Sequence, residues 1–273
     1  MPTRSDPWPA GTPCWVDLGA PDVAASTAFY GAVLGWSFFD SGEEFGHYNI
    51  CQVNGHAAAA IGPKQDPNQP TAWTVYLASD DTDASAAAIT ANGGTVLAEP
   101  FDVPGNGRMT VATDPAGAAF GVWQAGGTIG AEIYDEPGGL TWTDARLTDP
   151  EAARGFYTAV FGYHYQAMPG APGDYLTFHL GEAPLGGMGG MMDPTAGVPS
   201  HWVAYFSVAD TDAAITAATS GGGSLQRAPM DTPFWRMEFL ADPDGAVFAL
   251  AGPPPTAWRC TSAGSQRRCP LGG

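Results

Sequence analysis

The chain has 273 residues with 44% hydrophobic side chains, only 14% charged ones, and a formal net charge of −18 from 28 acidic and 10 basic residues. This composition is typical of a protein with a sizeable core and its length suits two domains, while the strong negative charge disfavours nucleic acid and membrane surfaces as partners. The sequence contains no apolar run long enough for a signal peptide or a membrane span, so we expect a cytoplasmic protein.

The first half predicts alternating strands and helices. A strand over 15–20 is followed by Asp22, whose carboxylate can cap a helix that places Phe29 and Tyr30 on its apolar face and ends at Gly35. Further along the chain, strands are expected over 48–53, 57–61 and 73–78, a helix over 83–91, and strands near 95, over 109–113 and over 118–123. Each half is therefore expected to contain two strand–helix–strand–strand–strand units.

The second half repeats the first at nearly constant spacing. Trp15 and Asp17 return as Trp142 and Asp144, and the Asp-Pro-x-Gly turn at 114–117 returns at 242–245. A repeat of this kind indicates duplicated structural units. We expect an N-terminal extension over 1–10, a first domain over 11–125, a glycine-rich linker over 126–139, a second domain over 140–253 and a disordered tail over 254–273.

The expected fold class is α+β, with four βαβββ modules forming two domains with curved mixed sheets. Two helices per half are too few to cover both faces of eight strands. One face of each sheet should therefore remain open as a cup.

These motifs and their order along the chain resemble the vicinal oxygen chelate superfamily, which includes glyoxalase I, bleomycin-resistance proteins, fosfomycin-resistance proteins and extradiol dioxygenases. The residues that carry the resemblance are Asp22, Phe29-Tyr30, Leu34-Gly35 and the turn at 114–117, together with their second copies. The opening at 11–18 and the segment Gly107-Arg108-Met109 are similar to a tandem actinobacterial subgroup. That subgroup includes a mycobacterial antigen and hydroxylase-type proteins of antibiotic gene clusters.

The resemblance implies three metal-ligand positions per domain, which metal-using members fill with His, Gln or Glu. A catalytic metal needs about three nitrogen, oxygen or sulfur ligands that converge on it. The residues at those positions here are Trp15, Thr74 and Gly121 in the first half and Trp142, Val203 and Ala249 in the second. We therefore expect no metal site and no other cofactor, with a noncanonical metal site as the less favoured alternative.

Alternation along the strands places aromatic rings and a carboxylate in each cup. Positions two apart in a strand share a face, so Asp17 should lie beside Trp15, and Asp144 beside Trp142. By the alignment Tyr76, Tyr205 and Trp123 also face inward. Such a surface suits a flat or amphipathic small molecule.

Buried aspartates need partners, and two arginines recur in register with them. We expect Arg108 to meet Asp17 and Arg236 to meet Asp144, either as structural ion pairs or as an anion-binding arginine beside a catalytic acid or base. Glu238 lies two residues after Arg236 and is a further catalytic candidate in the second cup. Tyr48 and Tyr175 are either hydrogen-bond donors at the cup rims or half-buried strand aromatics.

Four functions remain open from the residues. The first is an enzyme that acts on a small carbonyl or aromatic metabolite without a metal, and the second is a ligand-sequestering protein of the resistance type. A metal-dependent glyoxalase (lyase), dioxygenase or hydroxylase is disfavoured by the empty ligand positions, and a purely structural role predicts no ligand. The expected partner is a small molecule, and the chain is expected to be a monomer or a homodimer.

Overall fold

A computed structural model describes residues 3–168, 171, 174–193 and 197–254. The first half contains eight strands, two α-helices and one short 3-10 helix (Glu43–Phe45) in the described residues. In chain order they are β1 (Pro13–Ala20), α1 (Val23–Leu34), β2 (Ser37–Asp40), β3 (Asn49–Val53), β4 (His56–Pro63), β5 (Trp73–Ala78), α2 (Thr82–Ala91), β6 (Thr95–Val103), β7 (Gly107–Thr113) and β8 (Ala119–Ala125).

The second half repeats this order, except that the strand following its second helix is split into two short pieces. Its elements are β9 (Leu140–Leu147), α3 (Pro150–Phe161), β10 (His164–Ala167), β11 (Leu176–His179), β12 (Pro184–Gly190), β13 (His201–Ser207), α4 (Thr211–Ser220), β14 (Ser224–Leu225), β15 (Met230–Asp231), β16 (Arg236–Ala241) and β17 (Val247–Gly252).

Each half forms one curved, open sheet of mixed strand direction. The strand order is β2-β3-β4-β1-β5-β8-β7-β6 in the first sheet and β10-β11-β12-β9-β13-β17-β16-β14 in the second, where β15 also pairs with β16. Within each sheet two pairs run parallel, namely β1 with β4 and β5 with β8, and their counterparts β9 with β12 and β13 with β17. The predicted α+β fold of four βαβββ modules is confirmed.

Aspartate caps begin all four helices. The carboxylates of Asp22, Asp81, Asp149 and Asp210 each accept a hydrogen bond from the amide three residues later, at 2.9 to 3.1 Å. These bonds satisfy amide groups that the first helical turn leaves without partners. Helix α1 ends at Gly35, whose φ of 71° is the left-handed conformation that glycine adopts without strain.

One hydrophobic core joins the two halves. Helix α1 packs on α4 and α2 packs on α3, so each helix contacts a helix from the other half. The Tyr30 hydroxyl accepts a hydrogen bond from Trp73 Nε1 at 2.9 Å and donates one across the interface to Asp242 Oδ2 at 3.0 Å. The repeated motifs therefore hold the two halves together.

The second copies of these motifs make the reciprocal bonds. The Tyr157 hydroxyl accepts from Trp202 Nε1 at 3.0 Å and donates to Asp114 Oδ2 at 3.2 Å. Asp114 belongs to the Asp-Pro-x-Gly turn, and its Oδ1 also accepts two backbone amides of that turn. The turn of each half is thus bonded to a helix of the other.

The segments outside the sheets also pack against them. The amide of Arg4 donates to the carbonyl of Glu132, and Trp8 donates from Nε1 to the carbonyl of Ala131 at 3.0 Å. Within 126–139, Ile133 is fully buried in the shared core. Residues 255–273, most of the segment expected to be a disordered tail, lie outside the described residues.

None of the helices within the described ranges combines the length and the apolar character needed to span a bilayer.

Candidate functional site

The first cup holds a carboxylate surrounded by aromatic side chains. Asp17 Oδ2 accepts a hydrogen bond from the Tyr48 hydroxyl and another from the Tyr76 hydroxyl, both at 3.0 Å. Trp15 Nε1 in turn donates to the Tyr48 hydroxyl at 3.0 Å. The ring of Tyr76 lies directly over Gly121, where a methyl group would overlap it. Trp15, Asp17 and Tyr76 therefore lie on one face, as the alternation along β1 and the resemblance predicted.

The second cup has the same frame with one addition. Asp144 Oδ1 accepts from Trp142 Nε1 at 2.9 Å and from the Tyr175 hydroxyl at 2.7 Å, while Oδ2 accepts from the Tyr205 hydroxyl at 2.5 Å. Arg146 Nη2 forms an ion pair with Asp144 Oδ2 at 2.5 Å, and its guanidinium lies over the Tyr175 ring. The second carboxylate is therefore already neutralised by the protein.

The two cups differ because Gly19 occupies in the first half the place that Arg146 occupies in the second. Both residues follow the cup aspartate by two positions and so share its face. Asp144 is fully buried, with 1% of its side chain exposed, whereas Asp17 is only partly buried. Among the described residues no Lys, Arg or His forms an ion pair with Asp17. The first cup thus presents an uncompensated carboxylate to its opening.

Burial raises the pKa of Asp17 from 3.8 to about 6, although hydrogen bonds from Tyr76, Tyr48 and Thr74 act in the opposite direction. Burial likewise raises the pKa of both tyrosines, which stay protonated as hydrogen-bond donors. Near neutral pH, Asp17 therefore stands close to the point at which it exchanges a proton. A carboxyl group tuned in this way suits general acid–base chemistry.

A pH-dependent stability should follow from the raised pKa of Asp17. Between about pH 4 and pH 6 the folded chain holds this proton more tightly than the unfolded chain does, so the Asp17 contribution to stability falls as the pH rises through that window. We expect Asp17→Asn to raise the free energy of unfolding at pH 7 by about 1 to 2 kcal/mol and to change it little at pH 4. Urea unfolding at the two pH values measures the difference, and an equal effect at both would contradict it.

Arg108 and Arg236 do not face the cups, and the prediction that they pair with Asp17 and Asp144 is wrong. Arg108 donates to Asp83 on α2 at 2.8 Å and to Asp102 on β6 at 2.8 Å, on the helix-covered side of the sheet. On β7 it is the next residue, Met109, that packs into the cup cluster. The assumed strand phase was shifted by one residue, which moves every side chain to the opposite face.

In the second half, the prediction that Arg236 pairs with Asp144 is wrong in the same way. Arg236 pairs with Asp212 on α4 at 2.7 Å and with Asp231 at 2.8 Å. Glu238 shares the face of Arg236, as expected, but that face is the helix side, and the side chain is fully buried. Burial raises the pKa of Glu238. Arg108, Arg236 and Glu238 therefore all lie on the helix-covered faces of their sheets, away from the cups.

One end of the first cup is closed by the N-terminal segment. Trp8 packs with Trp123, Tyr76 and Ala78 in one apolar cluster. A cavity of about 190 Å³ lies beside this cluster, between Trp8, Trp123 and Asp80. Trp123 thus lies on the cup face, as the alignment predicted, with its Nε1 donating to the carbonyl of Thr128 at 3.2 Å.

The positions at which the resemblance implies metal ligands do not supply them here. Trp15 Nε1 is a donor already bonded to Tyr48, and the space above Gly121 is filled by the Tyr76 ring. Nowhere in the described part of the chain do three His, Cys, Asp or Glu side chains come together as a possible metal-binding group. The donor chemistry of both cups therefore does not fit the divalent ion that the resemblance implies.

Comparison with known proteins gives the same family twice along the chain. The sequence profile of the Glyoxalase/Bleomycin resistance protein/Dioxygenase superfamily matches residues 14–122 and 139–250. The fold and the paired cups thus define a tandem protein of this class, and the chain belongs to the Glyoxalase/Bleomycin resistance protein/Dioxygenase superfamily.

Two relatives match almost the whole chain. CFP32 of Mycobacterium tuberculosis, provisionally named a glyoxylase, is 39% identical over 262 residues, which cover 93% of this chain and 99% of that protein. The anthracycline biosynthesis protein DnrV of Streptomyces peucetius is 38% identical over 264 residues, which cover 88% of this chain and 92% of that protein.

Solved structures share the fold at low sequence identity. A Mn(II)-bound glyoxalase from Novosphingobium aromaticivorans has a TM-score of 0.63 at 17% identity and covers 89% of this chain and 82% of its own. The 2,2',3-trihydroxybiphenyl 1,2-dioxygenase of Sphingomonas wittichii RW1 has a TM-score of 0.63 at 13% identity and covers 90% and 91%. At these identities the likeness concerns the fold alone.

Arg146 is the cup residue that the sequence analysis missed. The signal was present, because Arg146 stands two residues after Asp144 on the same strand and two positions apart in a strand share a face. His201 pairs across the strands with Arg146 and belongs to the same face. Burial, followed by the nearby Arg146 charge, lowers the pKa of His201. The second cup therefore has Arg146 and His201 beside Asp144, at positions that Gly19 and Ala72 occupy in the first cup.

Proposed function

We propose that this chain is a small-molecule-binding protein that works without a bound metal, and that its first cup is the working site. The observation that carries the proposal is Asp17, an uncompensated carboxylate held by two tyrosine hydroxyls among tryptophan and tyrosine rings. Flat rings can stack on such walls while a polar group is oriented by the carboxylate. The ligand class is a small carbonyl or aromatic metabolite.

The chemistry that this site supports is proton transfer. With its pKa raised to about 6 by burial, Asp17 can accept a proton from an acidic O–H or C–H group of the ligand and later return it. The electron pair of the broken bond stays on the ligand, so the step needs no other reactant. The Tyr48 and Tyr76 hydroxyls stay protonated and hold the carboxylate in place.

Native mass spectrometry of freshly purified protein, combined with metal analysis, tests the proposal. We expect up to one organic molecule bound per chain and no stoichiometric divalent ion. We expect Asp17→Asn to lower the fraction of chains that carry the organic molecule. Glu151→Gln, which removes an exposed acid on α3, is the control for net charge. Stoichiometric metal would contradict metal independence, and an adduct unaffected by Asp17→Asn would contradict the assignment of the site.

The second candidate function is ligand sequestration, and the second cup favours it. Asp144 is neutralised by Arg146 and receives three further hydrogen bonds, from Trp142, Tyr175 and Tyr205. This cup keeps aromatic walls but has no free carboxylate with which to move a proton. Recovery of unmodified ligand after incubation supports sequestration, whereas conversion of the ligand supports the enzyme.

The names of the relatives point to different chemistries. One is provisionally a glyoxylase, one belongs to anthracycline biosynthesis, and the solved structures include a metal-bound glyoxalase and a dioxygenase. A metal-dependent glyoxalase or dioxygenase function is the third candidate. Because Trp15, Thr74 and Gly121 are poor donors, the proposed function does not include it.

A further inference from the structure

In the described part of the chain, no cationic side chain is paired with Asp17, the carboxylate of the first cup. The Tyr48 and Tyr76 hydroxyls donate to the same oxygen of Asp17. A carboxylate offers about four acceptor sites, so Asp17 retains capacity for a ligand. Both hydroxyl donors are neutral, so the carboxylate keeps its charge when it is ionised.

The one lysine of the chain lies near the first cup without forming an ion pair with Asp17. Lys64 lies beside Gly19 at the rim of the first cup, but its ammonium donates to the carbonyl of Gln69 at 2.9 Å. The equivalent of the second cup's His201 is Ala72, which carries no charge. In the second cup the same aspartate position is paired with Arg146 at 2.5 Å. The two cups therefore have matching aromatic residues but differ in whether a cation is paired with the aspartate.

The geometry points to a flat organic cation as the ligand class of the first cup, with a protonated amine paired to Asp17 and a ring stacked on the partly exposed Trp15. An ammonium group gains both a charge-assisted hydrogen bond and attraction to the surrounding ring faces. An anion would instead meet Asp17 and the field of a chain with net charge −18. The second cup excludes such a cation because Arg146 already occupies its carboxylate.

This inference rests on the proposed binding function of the first cup and narrows its ligand. Three probes of similar size and different charge separate the two claims: tryptamine as cation, tryptophol as neutral alcohol and indole-3-propionate as anion. Isothermal titration calorimetry of the full chain at pH 7.5 measures each. We expect tryptamine to bind at one site per chain, about tenfold or more tightly than tryptophol, and indole-3-propionate to bind most weakly.

Two variants locate the site. Asp17→Asn should reduce tryptamine affinity to that of tryptophol, because it removes the charge and keeps an acceptor for the tyrosines. Gly19→Arg should do the same by placing a guanidinium beside Asp17, as Arg146 lies beside Asp144. The nearest atoms to a Cβ at Gly19 are Gln69 Nε2 at 3.6 Å and Lys64 Cγ at 3.7 Å, which are ordinary van der Waals contacts, so a Cβ is accommodated there. Glu151→Gln is the control for net charge.

The outcomes distinguish the two claims. Loss of the tryptamine preference in both variants but not in the control supports the inference. Equal or tighter binding of tryptophol or indole-3-propionate overturns the cation class but leaves a binding cup in place. A tryptamine preference that survives Asp17→Asn, or two equal sites per chain, also overturns it. Failure of all three probes to bind at millimolar concentration overturns both this inference and the proposed function.

Discussion

Replacing Arg146 with methionine is expected to lower the free energy of unfolding at pH 7 by about 3 kcal/mol, near the lower end of the range for breaking a buried ion pair from one side. The reason is that Asp144, with 1% of its side chain exposed, would remain as a buried charge without its cation. Hydrogen bonds from Tyr175 and Tyr205 remain and limit the loss. Methionine fills much of the same volume, so packing changes little.

Urea unfolding followed by circular dichroism measures this effect, and Arg108→Met is the matched control. Arg108 pairs with Asp83 and Asp102, whose side chains are 63% and 77% exposed. Arg108→Met should therefore lower the free energy of unfolding by less than about 1 kcal/mol. Adding Asp144→Asn to Arg146→Met should recover part of the stability, because the uncompensated charge is then gone. If Arg146→Met lowers the free energy of unfolding no more than Arg108→Met does, the ion pair between Arg146 and Asp144 is not buried in solution.

Removing the hydroxyl of Tyr30 is expected to destabilise the whole chain by about 1 to 3 kcal/mol. Tyr30→Phe leaves Trp73 Nε1 and Asp242 Oδ2 without their buried partner, and one of the two lies in the other half. Tyr157→Phe should act alike through Trp202 and Asp114.

Both variants should unfold in one transition, because helices from the two halves share a single core. Tryptophan fluorescence and far-ultraviolet circular dichroism, recorded on the same urea series, test this point. Tyr134→Phe is the control, because Tyr134 lies only partly buried beside Trp8 and its change should cost below about 0.5 kcal/mol. Two separate transitions, with only one of them moved by Tyr30→Phe, would contradict a shared core.

The strand phase decided which site residues could be predicted. On β1 the pair Trp15 and Asp17 could be placed because the resemblance fixed which residue faces the cup. On β7 no such anchor was available, and alternation alone leaves two equivalent choices. Arg108 was placed on the wrong face for that reason, and its true partner is Asp83 on α2.

The sequence by itself determined the duplication, the capping of one helix in each half by Asp22 and Asp149, and the α+β class. These follow from local propensities and from matching two copies against each other. Only the tertiary structure decided that the copies of Tyr30 and Asp242 bond across the halves, and that Arg146 closes one cup while Gly19 leaves the other open. Such contacts join residues far apart in the chain or depend on which face a strand presents, and neither is encoded in a local pattern.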